Sequence, residues 1–109
     1  MNAVTVLYYQ TASSLKPYRE WLDALDDLKG KSIIRSRINR LRRGLFGNMR
    51  SVGGGVFELK IYFGPGYRIY CIHDGPSLVI LLCGGDKKSQ ARDIMLAQDY
   101  ARDYWRRKG

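Results

Sequence analysis

The sequence predicts an α+β fold in the order strand, helix, helix, three strands, helix (βααβββα), with a small, mostly antiparallel sheet and helices packed on one face. Three observations lead to it. Apolar residues alternate at Phe57, Leu59, Ile61 and Phe63, the period of a strand with one buried face. Gly64-Pro65-Gly66 then supplies turn chemistry, and the β-rich run from Tyr67 to His73 leads back as the second arm of a hairpin. Stretches with apolar residues at helical spacing lie before and after these strands. At 109 residues the chain is long enough for one domain, residues 1–109, with its own core.

Taken in order, Val4 to Tyr9 is β-branched and aromatic and predicts the first strand. Thr11 to Ser14 offers helix caps, and Pro17 suits a first helical turn, where its missing N–H would have lacked a partner anyway. Leu15, Tyr18, Trp21, Leu22, Leu25 and Leu28 give the first helix its apolar stripe, running through Asp26-Asp27. A second helix is expected from about Asp27 to Arg43, with Ile34, Ile38, Leu41 and Leu45 inward and Gly44 as its stop; Gly30 separates the two helices. Phe46 to Gly55 is a glycine-rich loop entering the hairpin. It lacks the strand-before, helix-after context and the Lys-Ser/Thr of a P-loop.

The hairpin has a predicted register. If Phe63 pairs with Tyr67, then Tyr62 pairs with Arg68 and Lys60 with Tyr70. Lys60 and Arg68 become diagonal neighbours on the face opposite Phe57, Leu59 and Ile61, both exposed. Asp74-Gly75-Pro76 turns the chain into Leu78 to Cys83, an apolar run buried on both faces and therefore interior to the sheet. Asp86 or Ser89 caps the final helix, whose inward stripe is Ile94, Ala97, Ala101 and Tyr104 or Trp105. Arg106, Arg107 and Lys108 suit its negative end.

Nineteen Lys and Arg against ten Asp and Glu give a net charge of +9, which favours a polyanionic or acidic partner. The excess is local. From Lys31 to Arg50 there are seven cations and no acid, and Arg37, Arg40 and Arg43 fall on one solvent-facing edge of the second helix. Cys71 and Cys83 fit neither a disulfide framework nor a zinc pattern and are expected as buried thiols. No secretory signal pattern and no apolar run of membrane-spanning length occurs, so a cytoplasmic location and no membrane partner are expected.

Nucleophile and metal motifs are missing, and the lone His73 is expected to be structural. What remains is a set of cations and hydroxyls: Lys60, Tyr62, Arg68, Tyr70, Lys87 and Lys88. Such a set can cleave RNA without a metal or cofactor, because the ribose 2′-OH attacks its own adjacent phosphate. The protein need only orient that hydroxyl and neutralise developing charge.

The order of elements, together with Val56 to Ile61, Gly64 to Tyr70 and Leu81 to Gln90, resembles the RelE/ParE toxin superfamily. Within it the likeness is to the HigB-like addiction-module killer proteins, the phage-derived Gp49-like branch. The resemblance implies a RelE-like fold and the toxin of a type II toxin–antitoxin system, a ribosome-dependent mRNA endonuclease that arrests translation. It implies as partners a small helix-turn-helix antitoxin encoded alongside, the ribosome and mRNA, with operator DNA reached only through the antitoxin. Lys60 and Arg68 match phosphate-binding residues of the family, and Lys87 or Lys88 falls where another arginine stands. Glu58 replaces a second lysine and Arg92 a C-terminal tyrosine, so the proton-transfer group stays open among Glu58, Tyr70 and His73. Arg37, Arg40, Arg43, Arg50 and Arg92 are expected to bind RNA. The alternatives are a non-catalytic toxin directed at a protein such as DNA gyrase, as in the ParE branch, or a non-toxic basic binding module.

Overall fold

A computed structural model describes residues 3–109. Its elements are β1 (Thr5–Tyr8), α1 (Pro17–Ala24), α2 (Leu28–Arg42), β2 (Met49–Ser51), β3 (Phe57–Lys60), β4 (Arg68–His73), β5 (Leu78–Gly85) and α3 (Gln90–Lys108). The five strands form one mixed sheet in the order β1-β5-β4-β3-β2, antiparallel except where β1 runs parallel to β5. This is consistent with a RelE-like α+β fold. The expected order holds with one addition, the short edge strand β2 inside the predicted glycine-rich loop.

The first helix ends earlier than its apolar stripe suggested. Asp27 is the N-cap of α2, accepting a 2.8 Å hydrogen bond from the Gly30 amide, and a cap needs extended backbone. The chain must therefore leave the helical conformation before Leu28, which opens α2 and is exposed. Gly30 does not separate the helices: it lies in the first turn of α2, where an added Cβ would sit 2.8 Å from the Tyr67 ring. At the other end Gly44, with φ +80°, and Leu45 donate to the Leu41 and Arg40 carbonyls, a Schellman stop. Leu45 is thereby carried to the surface instead of the core.

The helices do not share one face of the sheet. Tyr18 and Leu22 of α1 and Ile34, Ile38 and Leu41 of α2 pack with Leu59, Ile69, Cys71, Val79 and Leu81. Ala97 and Ala101 of α3 pack on the other face with Tyr70, Ile72, Ile80, Leu82 and Cys83. The reason lies in β5. A bulge between the Tyr70–Cys83 and Cys71–Leu81 pairs lets Leu82 and Cys83 face the same side, which reverses the alternation for the two glycines that follow. A Cβ on Gly84 would meet the Trp21 ring of α1 at 2.3 Å, and one on Gly85 would meet Asp93 of α3 at 1.8 Å. The consecutive glycines admit one helix on each side. Cys71 and Cys83 consequently lie in opposite cores, both with thiols pushed up to about 12 by burial.

Among the described residues no helix is long and apolar enough to cross a membrane. Hydrogen bonds from tyrosine to aspartate tie the periphery together: Tyr67 to Asp27 at 2.7 Å, Tyr9 to Asp103 at 2.5 Å and Tyr104 to Asp74 at 2.6 Å.

Gly85→Ala should destabilise the protein by about 1–3 kcal/mol in urea unfolding, because overpacking forces α3 off the sheet. Adding Asp93→Ala should cost less in the Gly85→Ala background than in wild type. Additive effects would show that the two positions do not compete for the same space.

Candidate functional site

The hairpin brings Lys60 and Arg68 together more directly than the sequence predicted. Lys60 pairs with Arg68, Leu59 with Ile69, Glu58 with Tyr70 and Phe57 with Cys71. The register differs by two residues from the expected one, so every side chain keeps its predicted face while diagonal neighbours become opposed partners. The shift follows from a longer tip, in which the Ile61 amide donates to the Tyr67 carbonyl at 2.8 Å and the Phe63 amide to Ile61.

Arg68, expected to be exposed, is buried with 4% of its surface accessible. Its face of the sheet is closed by α3, whose first residue, Gln90, reaches back to Glu58. The Glu58 carboxylate is itself 4% exposed and accepts three hydrogen bonds: 2.9 Å from Gln90, 3.0 Å from the Tyr70 hydroxyl and 3.1 Å from Arg50. Arg50, Glu58 and Tyr70 are successive register partners across β2, β3 and β4, so one carboxylate bridges three strands and a helix. Arg68 Nε lies 3.7 Å from the same carboxylate without a hydrogen bond, while its Nη1 donates to the Gly66 carbonyl at 2.7 Å.

This network sets the protonation states. Burial alone would raise the Glu58 carboxyl, but hydrogen bonds from Gln90, Tyr70 and Arg50 outweigh it and hold the group below its ordinary 4.5. Burial and the adjacent Glu58 charge push the Tyr70 phenol far up. Glu58 is thus a committed acceptor and Tyr70 a committed donor. Both are held in this internal network, with the carboxyl shifted down and the phenol shifted up, so neither is poised as a general base or acid. His73 is placed elsewhere, with its ring edge-on to Phe46 and Phe57 and Nε2 3.4 Å from the Met49 sulfur.

The remaining cations divide among three surface recesses. A groove of about 430 Å³ at the hairpin tip is lined by Lys60, Ile61, Tyr62, Phe63, Arg68 and Lys87, among others. Lys87 is held there by a 3.3 Å bond from its amide to the Pro65 carbonyl. A second groove, of about 420 Å³, lies between this segment and α2 and is lined by Ser36, Arg37, Arg40, Asn48, Lys60 and Tyr62. No described acid lines either groove. Lys88 and Arg92 line a separate recess with Asp86 and Ser89 and do not join Lys60.

Arg37 is not on a solvent-facing edge. It is buried, and its guanidinium donates to the carbonyls of Lys60, Phe46 and Asn48 at 3.1, 3.1 and 2.8 Å, clamping β3 and the loop between α2 and β2 to α2. Arg40 and Arg43 are exposed, but only Arg40 lines a groove; Arg50 is largely exposed yet paired with Glu58. Sequence reasoning missed Gln90 and the buried Asp93, which accepts a 2.5 Å bond from Ser89. A glutamine at the first position of the last helix was the available signal for Gln90.

The family described as Phage derived protein Gp49-like (DUF891) matches residues 20–100, a span that holds the hairpin, both grooves and most of α3. The chain belongs to this Gp49-like family. An uncharacterized protein of Haemophilus influenzae is 46% identical to it over 86 residues, covering 79% of this chain and 87% of the relative. No solved structure matches the chain. Membership in the Gp49-like family suggests a toxin–antitoxin-related role with an antitoxin partner, and neither match names an activity.

Glu58→Ala should cost the Gp49-like protein about 3–5 kcal/mol, since it leaves Arg68 buried without a counter-charge. The pH dependence has a definite sign. A carboxyl depressed in the folded state contributes stability that is fully present above its unfolded value near 4.5 and is lost as pH falls through the folded value. The wild-type urea midpoint should therefore fall on acidification through that window, and Glu58→Gln should flatten the fall. An equally steep fall in the variant would show that Glu58 does not supply it.

Proposed function

We propose that this Gp49-like protein is the toxin of a type II toxin–antitoxin pair and cuts mRNA on the ribosome without a metal. The observation that supports the reading best is the acid-free groove where Lys60 and Lys87 stand beside the buried Arg68. In the reaction the ribose 2′-oxygen forms a bond to the adjacent phosphorus and the bond to the 5′-oxygen breaks. The 2′-hydroxyl proton is lost and the leaving oxygen gains one, giving a 2′,3′-cyclic phosphate and a 5′-hydroxyl. Lys60 and Lys87 neutralise the non-bridging oxygens as charge builds, while Arg68, paired with Glu58, forms part of the groove wall.

With Glu58 and Tyr70 committed to each other, the groove offers no carboxylate or imidazole for proton transfer, only the amines of Lys60 and Lys87 and the Tyr62 hydroxyl. General acid–base help is typically worth roughly 10² to 10⁴ in rate, so free RNA should be a poor substrate and the ribosome or its water must complete the proton transfer. The antitoxin, a small helix-turn-helix protein encoded alongside, would cover the basic surface and bring the pair to operator DNA. The setting is cytoplasmic.

A second reading has a specific observation in its favour. Arg68 is internally paired with Glu58, which suits a toxin that binds a protein target such as DNA gyrase and needs no catalytic arginine.

Lys60→Ala and Lys87→Ala are cleaner tests than Arg68→Ala, which would strip Glu58 of its counter-charge and destabilise the fold. Each lysine variant should unfold like wild type while reducing transcript cleavage by roughly 10² or more, read by mapping 5′ ends after induction. Intact transcripts during growth arrest would favour the gyrase-type reading. Undiminished cleavage by both variants would remove the groove from the chemistry.

A further inference from the structure

We infer that Tyr62 is a nucleobase-stacking residue and that the groove beside α2 is the subsite for the nucleotide next to the phosphate held by Lys60 and Lys87. The inference rests on the RNA-directed reading above and deepens it.

Tyr62 follows the end of β3 and is 74% exposed. It lines both grooves, together with Lys60 and Ile61, and so forms the ridge between them. The Lys60 ammonium lies 4.9 Å from its ring centroid, a cation–π contact that steadies an otherwise free side chain. Phe63, next in the chain, carries the Lys29 ammonium 5.6 Å from its own ring on the tip side. Beyond the ridge, Arg40 supplies a second positive charge, and Ser36 and Asn48 supply a hydroxyl and an amide able to meet a 2′-OH or a base edge.

These parts meet the two needs of a single-stranded nucleic acid. Cations on both sides of the ridge follow the phosphates, and an exposed aromatic face between them takes a base. An acidic polypeptide would use the same cations, but only a nucleic acid brings a flat ring with every anionic group. The absence of described acids from both grooves agrees with either polyanion, and the exposed ring favours RNA.

The test is fluorescence anisotropy with a short 2′-O-methyl oligoribonucleotide, which cannot be cleaved, and with the same strand made abasic. Tyr62→Ala should bind the intact strand about 5- to 150-fold more weakly, the range expected for losing one base stack. Tyr62→Phe and Tyr62→Trp should stay close to wild type. The abasic strand should bind wild type and Tyr62→Ala equally weakly. The slope of log K against log salt should be unchanged in Tyr62→Ala and smaller by about 0.7 in Lys60→Ala, which loses a phosphate contact.

If wild type and Tyr62→Ala bind the intact strand equally, the stacking assignment is overturned while the phosphate groove stands. If wild type binds no strand, both fall. If wild type binds the abasic strand as well as the intact one and poly-glutamate displaces either, the occupant is an acidic polypeptide and the inference is wrong.

Discussion

One buried carboxylate constrains the working half of this molecule. Taking the Glu58 charge out of water carries a penalty of several kcal/mol, which only dense hydrogen bonding and a nearby cation can offset. Arg50, Tyr70 and Gln90 provide the bonds from two neighbouring strands and from α3, and Arg68 provides the charge. Because these groups come from three separate elements and converge on a fourth, satisfying the carboxylate fixes the edge of the sheet, seats the first turn of α3 and draws Arg68 inward. The side chains that look most chemical in the sequence are the ones this arrangement consumes.

What it leaves at the surface is a charge distribution that the rest of the chain does not cancel. The pairs along α3 join Asp99 to Arg102 and Asp103 to Arg106 and Arg107, exposed contacts worth at most about 1 kcal/mol each. Their effect is to offset three of the five cations on that helix. No cation of α2 has an acidic partner among the described residues, and neither do Lys60 and Lys87. Much of the unpaired positive charge thus lies on α2 and the hairpin tip, with Arg37, Arg40, Lys60 and Lys87 lining the two grooves that share Tyr62. A polyanion meeting this surface finds its field focused on the two grooves.

Much of the fold was legible because local periodicity and tertiary packing agree. The alternation of Phe57, Leu59 and Ile61 placed the correct side chains on each face, although the tip loop shifted the pairing by two. Gly44 stopped α2 as its position suggested. Periodicity could not reveal the bulge in β5, since Leu78 to Cys83 is apolar throughout and offers no alternation to interrupt. With the bulge hidden, it was hidden too which of Gly84 and Gly85 faces α1 and which faces α3. Arg37 shows the same limit for the site. Helical spacing set it beside Arg40 and Arg43, but three backbone carbonyls pull its guanidinium inward, and such acceptors leave no mark in a sequence. That Lys60 and Arg68 share a face was readable because the hairpin is local, whereas their direct pairing depends on the length of the tip and the burial of Arg68 on a helix that arrives later in the chain.

The claim that matters most is that the ridge and its two grooves, rather than the basic surface at large, receive the RNA. Backbone amide chemical-shift mapping with a non-cleavable oligoribonucleotide tests it most directly. The account predicts that the largest changes fall on residues 60–66, on Lys87 and around Ser36 and Arg40, with little at Lys88, Arg92 or Arg43. Changes spread evenly over all the exposed cations, or centred on the recess of Lys88 and Arg92, would contradict it.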